Sequence, residues 1–179
     1  NHTSIKSLDP LRGMNLVELN VADTKISDLA PVRGPKLEIL DAANTMVRDI
    51  KCLKGMRLTG LNISGTRVFD FTPLAAMPLE RLGLDDTQFK ELRLLKGMPL
   101  RHLSIANTKV ASLSEITDLP LDFLNCEGTG VKDISMIQKM ALKHLNISNT
   151  AIRDFTPLES MSLSALEAGK TAIKDIEFV

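Results

Sequence analysis

A chain of 179 residues with Lys+Arg and Asp+Glu balanced at 22 each has no net field to recruit nucleic acid or an anionic membrane. Six Phe without Trp or Tyr leave the core to aliphatic side chains, and two cysteines, Cys52 and Cys126, are too few for a disulfide framework. No apolar run reaches the ~20 residues of a membrane helix and no signal-peptide pattern opens the chain, so membrane insertion is not expected. Because the sequence opens on Asn1 and not on Met, it is expected to be a piece excised from a longer polypeptide.

One unit recurs from end to end. Leu16, Leu37, Leu58, Leu79, Leu100, Leu121, Leu142 and Leu163 stand 21 residues apart without an insertion. Threonine keeps the same ruler at Thr3, Thr24, Thr45, Thr66, Thr87, Thr108, Thr129, Thr150 and Thr171, nine of the 13 in the chain, which excludes coincidence. Residues 1–179 therefore read as a single array, eight nearly complete repeats after a partial one. The unit is L-x-x-L-x-[LIV]-x-x-T-x-[VI]-x-D-[LIF]-x-x-L-x-G-M-P, and its positions are numbered here from the first Leu.

Each unit opens with a short strand. In Leu100-Arg-His-Leu103-Ser-Ile105, Leu103 and Ile105 alternate with Ser104, the period of a strand with one buried face. Ten residues then remain for a return path. Asp28, Asp49, Asp70, Asp133, Asp154 and Asp175 are placed to cap a tight turn by accepting from backbone N–H groups. Pro31, Pro73 and Pro157 follow where the first turn of a short helical or 3₁₀ segment tolerates them. A 21-residue coil is too short for a full α-helix there. Two columns, Leu29-Ile50-Phe71-Leu92-Leu113-Ile134-Phe155-Ile176 and Val32-Leu53-Leu74-Leu95-Ile116-Ile137-Leu158-Val179, point inward. Met14, Met56, Met77, Met98, Met140 and Met161 form a third, read as core filling beside a Gly-Pro corner. No coil buries these residues alone, but stacking does.

The L-x-x-L-x-[LIV]-x-x-[N/T]-x-[VI] segment resembles the signature of the leucine-rich-repeat family over essentially the whole chain. The resemblance implies an α/β class fold: a right-handed solenoid with a parallel concave β-sheet and short 3₁₀ or helical turns on the convex side. Most members carry Asn at position 9, where it bridges the backbones of adjacent coils; here a threonine hydroxyl is expected to do similar work with fewer bonds. Asp70-Phe-Thr-Pro73-Leu74 and Asp154-Phe-Thr-Pro157-Leu158 resemble internalin-type bacterial repeats. Gly97-Met98-Pro99-Leu100 with the threonine ladder is similar to repeats in large proteins of planctomycetes, where such arrays often accompany serine/threonine kinase domains. That similarity implies a binding module within a longer polypeptide.

No catalytic constellation, cofactor motif or metal-ligand spacing appears, so no enzyme activity and no cofactor are expected. Cys126 replaces a core aliphatic residue and reads as inert packing. Lys and Arg read as alternating with Asp and Glu along every column, which argues against nucleic-acid binding. Where the repeats disagree is at positions 3 and 5, the solvent-facing residues of the strands. Position 3 places Arg81, His102, Phe123 and His144 on four neighbouring strands, an aromatic and cationic stripe of the kind that dominates protein interfaces. Arg101, Asn125 and Asn146 are expected to form its polar rim. Two functions are thus open: a non-catalytic module that binds a protein partner on the concave face, or a structural spacer that self-associates through its uncapped ends.

Overall fold

The computed structural model describes residues 5–172. Eight three-residue strands form one parallel sheet in sequence order: β1 Glu18–Asn20, β2 Ile39–Asp41, β3 Gly60–Asn62, β4 Arg81–Gly83, β5 His102–Ser104, β6 Phe123–Asn125, β7 His144–Asn146 and β8 Ala165–Glu167. Every register pair is offset by 21 residues, as Arg81↔His102 and His102↔Phe123 illustrate, so the sequence ruler is the pairing register itself. Between strands lie 3₁₀ segments of three to five residues, such as Thr72–Leu74 and Thr156–Ser160, and among the described residues no α-helix occurs.

The return path follows from local chemistry. The carboxylates of Asp28, Asp49, Asp70, Asp133 and Asp154 accept the amide two residues on, at 2.7–3.0 Å, and the next residues enter the 3₁₀ turn. Asp70 and Asp154 also accept the hydroxyls of Thr72 and Thr156, and these bonds hold both carboxyls below the usual range. Pro31, Pro73 and Pro157 occupy the first turn of their segments, where an N–H has no partner to lose. Asp175, Ile176 and Val179 lie outside the described residues, as do Asn1 and Thr3.

The inward columns form one continuous core, from Leu8 to Leu158, with Phe71 and Phe89 edge to face at 5.1 Å inside it. Met56, Met77 and Met98 are buried there; Met140 and Met161 are half-buried and Met14 is exposed, so the methionine column thins toward the ends of the stack. Among the described residues, no buried side-chain nitrogen or oxygen lacks a hydrogen-bond partner.

Position 9 departs from the bridging role. Each threonine from Thr24 to Thr171 donates its hydroxyl to the carbonyl three residues back in its own coil, as Thr87 does to Leu84 at 2.6 Å. At position 9 the hydroxyl is spent on its own turn rather than on the next coil. The position before it turns the chain. Asp23, Asn44, Gly65, Asp86, Asn107, Gly128, Asn149 and Lys170 all have φ between +54° and +65°, and seven of these eight are Asp, Asn or Gly, the residues that enter this region most readily. Cross-coil bridging is found at this position. Asn44 donates to Asp23 and Asn107 to Asp86, both at 3.0 Å.

Candidate functional site

Strand pleating sets which side chains meet solvent. The central leucine of β2 to β7 is buried, and residues at positions 3 and 5 stand on the opposite face. Ladder bonds continue past the strands: the Arg101 carbonyl, one residue before β5, accepts both the Asp122 and the Phe123 amides at 3.0 Å. Position 3 side chains are therefore carried on a stiff backbone.

Three of them associate. The rings of His102 and Phe123 stack at 5.4 Å with 16° between their planes, and Phe123 meets His144 at 6.2 Å and 43°. Phe123 is half-buried between two exposed imidazoles, and Asp122 Oδ1 lies 3.5 Å from His102 Nδ1. Arg81 is exposed on β4 as the register partner of His102, and its Nε lies 3.8 Å from where a Cβ on Gly60 would stand. With no side chain at Gly60 or Gly83, a trough of about 320 Å³ opens across Ile39, Gly60, Arg81, Gly83, His102 and Phe123. Arg101 is exposed beside it.

Position 5 is less free than its variation suggests. Asn20, Asp41, Asn62, Asn125 and Asn146 each accept the amide two residues on, at 2.9–3.1 Å, and so end their strands. Asn125 also donates to Ser104 Oγ at 3.1 Å, and buried Asn146 donates to Glu127 and Glu167 at 3.4 and 3.3 Å. Where glycine stands at position 5, in coil four, Asp85 bonds Ser104 Oγ and the Ala106 amide at 2.6–2.8 Å. Asn125 and Asn146 are thus scaffold residues first, and only unused hydrogen-bonding capacity is left for a rim.

This extended parallel sheet with 21-residue coils and 3₁₀ returns can be matched to known structures. No protein-family model and no curated protein sequence matches the chain. Solved structures do. An internalin of Listeria monocytogenes (inlF) superposes with a TM-score of 0.88 at 24% identity, covering 98% of this chain and 54% of that one. Internalin C2 of the same organism superposes at 0.87 with 26% identity, covering 93% and 77%. A leucine-rich-repeat protein of Leptospira interrogans gives 0.64 at 21% identity, covering 86% and 48%. The fold is that of the bacterial leucine-rich-repeat proteins. The chain spans about half the length of the first internalin.

In a leucine-rich-repeat solenoid the sheet is the concave side. Positions 2, 3, 5 and 7 build that side here, and they hold eight carboxylates (Glu18, Glu38, Asp41, Glu80, Asp85, Asp122, Glu127, Glu167) against three Lys or Arg (Arg81, Arg101, Lys143). A neutral chain must carry the balancing cations elsewhere. Positions 10 and 12 hold Lys25, Arg48, Arg67, Lys90, Lys109, Lys132 and Arg153, one in each of seven successive coils, with no carboxylate among the described residues. The expected alternation of charge along every column fails at these two. The sequence signal was present, but the cations switch between the two positions from coil to coil, so neither column alone reads as basic.

Cys52 is half-buried on a 3₁₀ segment, where burial raises its pKa, and Cys126 is closed off in the core. Cys126 is fully buried, its Sγ lies 3.3 Å from the Asn146 carbonyl, and burial pushes its pKa up to about 12. Among the described residues no helix is long and apolar enough to cross a membrane.

Proposed function

We propose that this chain is a non-catalytic protein-recognition module that seats a protein partner on its concave face, across Arg81, His102, Phe123 and His144. The observation that carries the reading is the His102–Phe123–His144 row, in which Phe123 stacks on His102 and lies tilted against His144. It places an aromatic ring, held between two imidazoles, on the solvent side of a sheet whose scaffold needs nothing from it. A ring fixed in this way has little rotamer entropy left to lose on binding, which is the usual economy of an interface anchor. Arg81 at the edge of the trough supplies a guanidinium for a carboxylate or carbonyl of the partner. Arg101 and the remaining amide hydrogens of Asn125 and Asn146 serve the rim. The likeness to internalins at 24–26% identity supports a binding scaffold without naming the ligand.

The test is comparative capture. Wild-type protein and a Phe123→Ala/His102→Ala variant, matched in thermal unfolding, are each exposed to an extract of the source cells. The bound proteins are then quantified by mass spectrometry. A partner enriched at least about tenfold on the wild type over the variant supports the reading. Equal capture by both contradicts it and favours a spacer whose contacts lie at the ends of the array.

A further inference from the structure

The cations that balance the acidic concave face form a surface of their own. After the buried threonine, the chain runs extended through positions 10 to 12, and position 11 is buried in all seven coils from Ile26 to Ile152. Positions 10 and 12 are exposed in every one of these coils. The amides of Met46, Arg67, Lys109 and Gly130 donate at 2.8–3.0 Å to the position 11 carbonyl of the preceding coil, which holds this flank in line. Coils stack about 4.8 Å apart, so the seven cations extend over roughly 29 Å, the span of about nine residues of extended chain.

None of the seven is in an ion pair among the described residues. The nearest carboxylates in sequence are committed elsewhere: Asp49, Asp70 and Asp133 to backbone amides, Asp23 and Asp86 to the side chains of Asn44 and Asn107. In the third of the seven coils stands Phe69, 76% exposed, between Arg48 and Lys90 in its column, with Met46 also exposed one coil earlier. Beside Phe69 a cleft of about 80 Å³ is lined by Phe71, Gln88, Phe89, Lys90 and Leu94.

We propose that this flank docks an extended acidic polypeptide segment, its carboxylates facing the row of cations and an apolar side chain covering Phe69. This surface is separate from the concave stripe and does not depend on it. Charge complementarity selects an acidic partner, and the width of the ridge selects a single chain. Position 13 borders it with Asp28, Asp49, Asp70, Glu91, Asp133 and Asp154, and Asp23 and Asp86 stand on the other side, so a nucleic-acid duplex or an anionic membrane would bring its negative charge against them as well. One aromatic ring along the ridge is also too few for a stacking platform of the kind that binds single-stranded nucleic acid.

Fluorescence anisotropy at low salt tests this on the folded chain, with a labelled peptide of about twelve residues, alternating Glu and Ala around a central Leu. Arg48→Glu/Lys90→Glu is expected to weaken binding by about tenfold or more, and Phe69→Ser by about threefold. Lys51→Glu/Arg93→Glu, an identical change in net charge on the adjoining 3₁₀ row, is expected to stay within about twofold of wild type. Matching thermal unfolding of all variants separates docking from folding. Three results overturn the proposal: no saturable binding by the wild type, an equal loss in the Lys51/Arg93 variant, or equally tight binding of oligo(dT) or of mixed phosphatidylcholine–phosphatidylserine vesicles.

Discussion

Replacing Thr87 by valine isolates what the threonine ladder contributes. Thr87 is only 2% exposed, and its hydroxyl donates to the Leu84 carbonyl at 2.6 Å. Valine keeps the branched shape and volume, so no cavity opens, but in a dry site the Leu84 carbonyl loses this donor and the Phe89 amide, at 3.4 Å, loses a long acceptor contact. An acceptor stranded in this way costs about 1–3 kcal/mol. For a chain of this length that corresponds to a fall in Tm of roughly 2–12 °C. Urea unfolding followed by circular dichroism measures it directly, and the denaturant slope is expected to stay constant because the surface exposed on unfolding is unchanged. Thr59→Val is the matched control. Thr59 is half-buried, and its hydroxyl reaches the Glu38 carbonyl of the preceding coil at 3.3 Å, so the loss there is expected to stay below about 0.5 kcal/mol. If Thr87→Val costs no more than Thr59→Val, the within-coil hydrogen bond is not what places threonine at position 9.

Four further outcomes rest on the same geometry. Gly65 has φ +65°, and an added Cβ would overlap Asn44 Oδ1, so Gly65→Ala is expected to cost more than the roughly 1 kcal/mol of left-handed strain alone. Ala76, at φ +61° where Gly55 and Gly97 serve in other coils, is expected to gain about 0.5–1 kcal/mol as Ala76→Gly; thermal melts compare the two changes. Cys126 is expected to resist iodoacetamide at pH 8 in the native protein and to react on unfolding. Its raised pKa favours the protonated thiol in the fold, so its contribution to stability is full below the ordinary value of 9.0 and is lost between there and about 12. The carboxyls of Asp70, Asp133 and Asp154 have the opposite sign. Their pKa values are lowered, so their capping contribution is present above the ordinary 3.8 and fades as pH falls through the lowered values, an acid-limb loss of stability that melts from pH 7 to pH 2 follow.

The architecture was legible because packing repeats. Spacings of 21 residues in leucine and threonine became the strand register, Asp and Pro marked the 3₁₀ returns, and the inward columns became the core. Features that depend on one atom's reach were not legible. The position 9 hydroxyl bonds within its coil, whereas family analogy had suggested a bridge between coils, and side-chain bridges lie one and two residues earlier, at Asn44 and Asn107 and at Ser64, Asp85 and Ser148. Asn125 and Asn146 look variable and free in a column, yet their side-chain oxygens are taken by the amides two residues on. The histidine–phenylalanine stack was legible as neighbouring residues in register, but its ring geometry needed coordinates. The basic ridge was hidden by its zigzag between two positions.

The concave stripe is tested most directly by placing a photo-crosslinker at a single residue. Benzoylphenylalanine is introduced at Phe123 or, on the opposite 3₁₀ side, at exposed Met136, and each protein is irradiated in source-cell extract. A discrete protein adduct is expected from position 123 and none from position 136. An adduct from 136 with none from 123 would contradict recognition by the concave face.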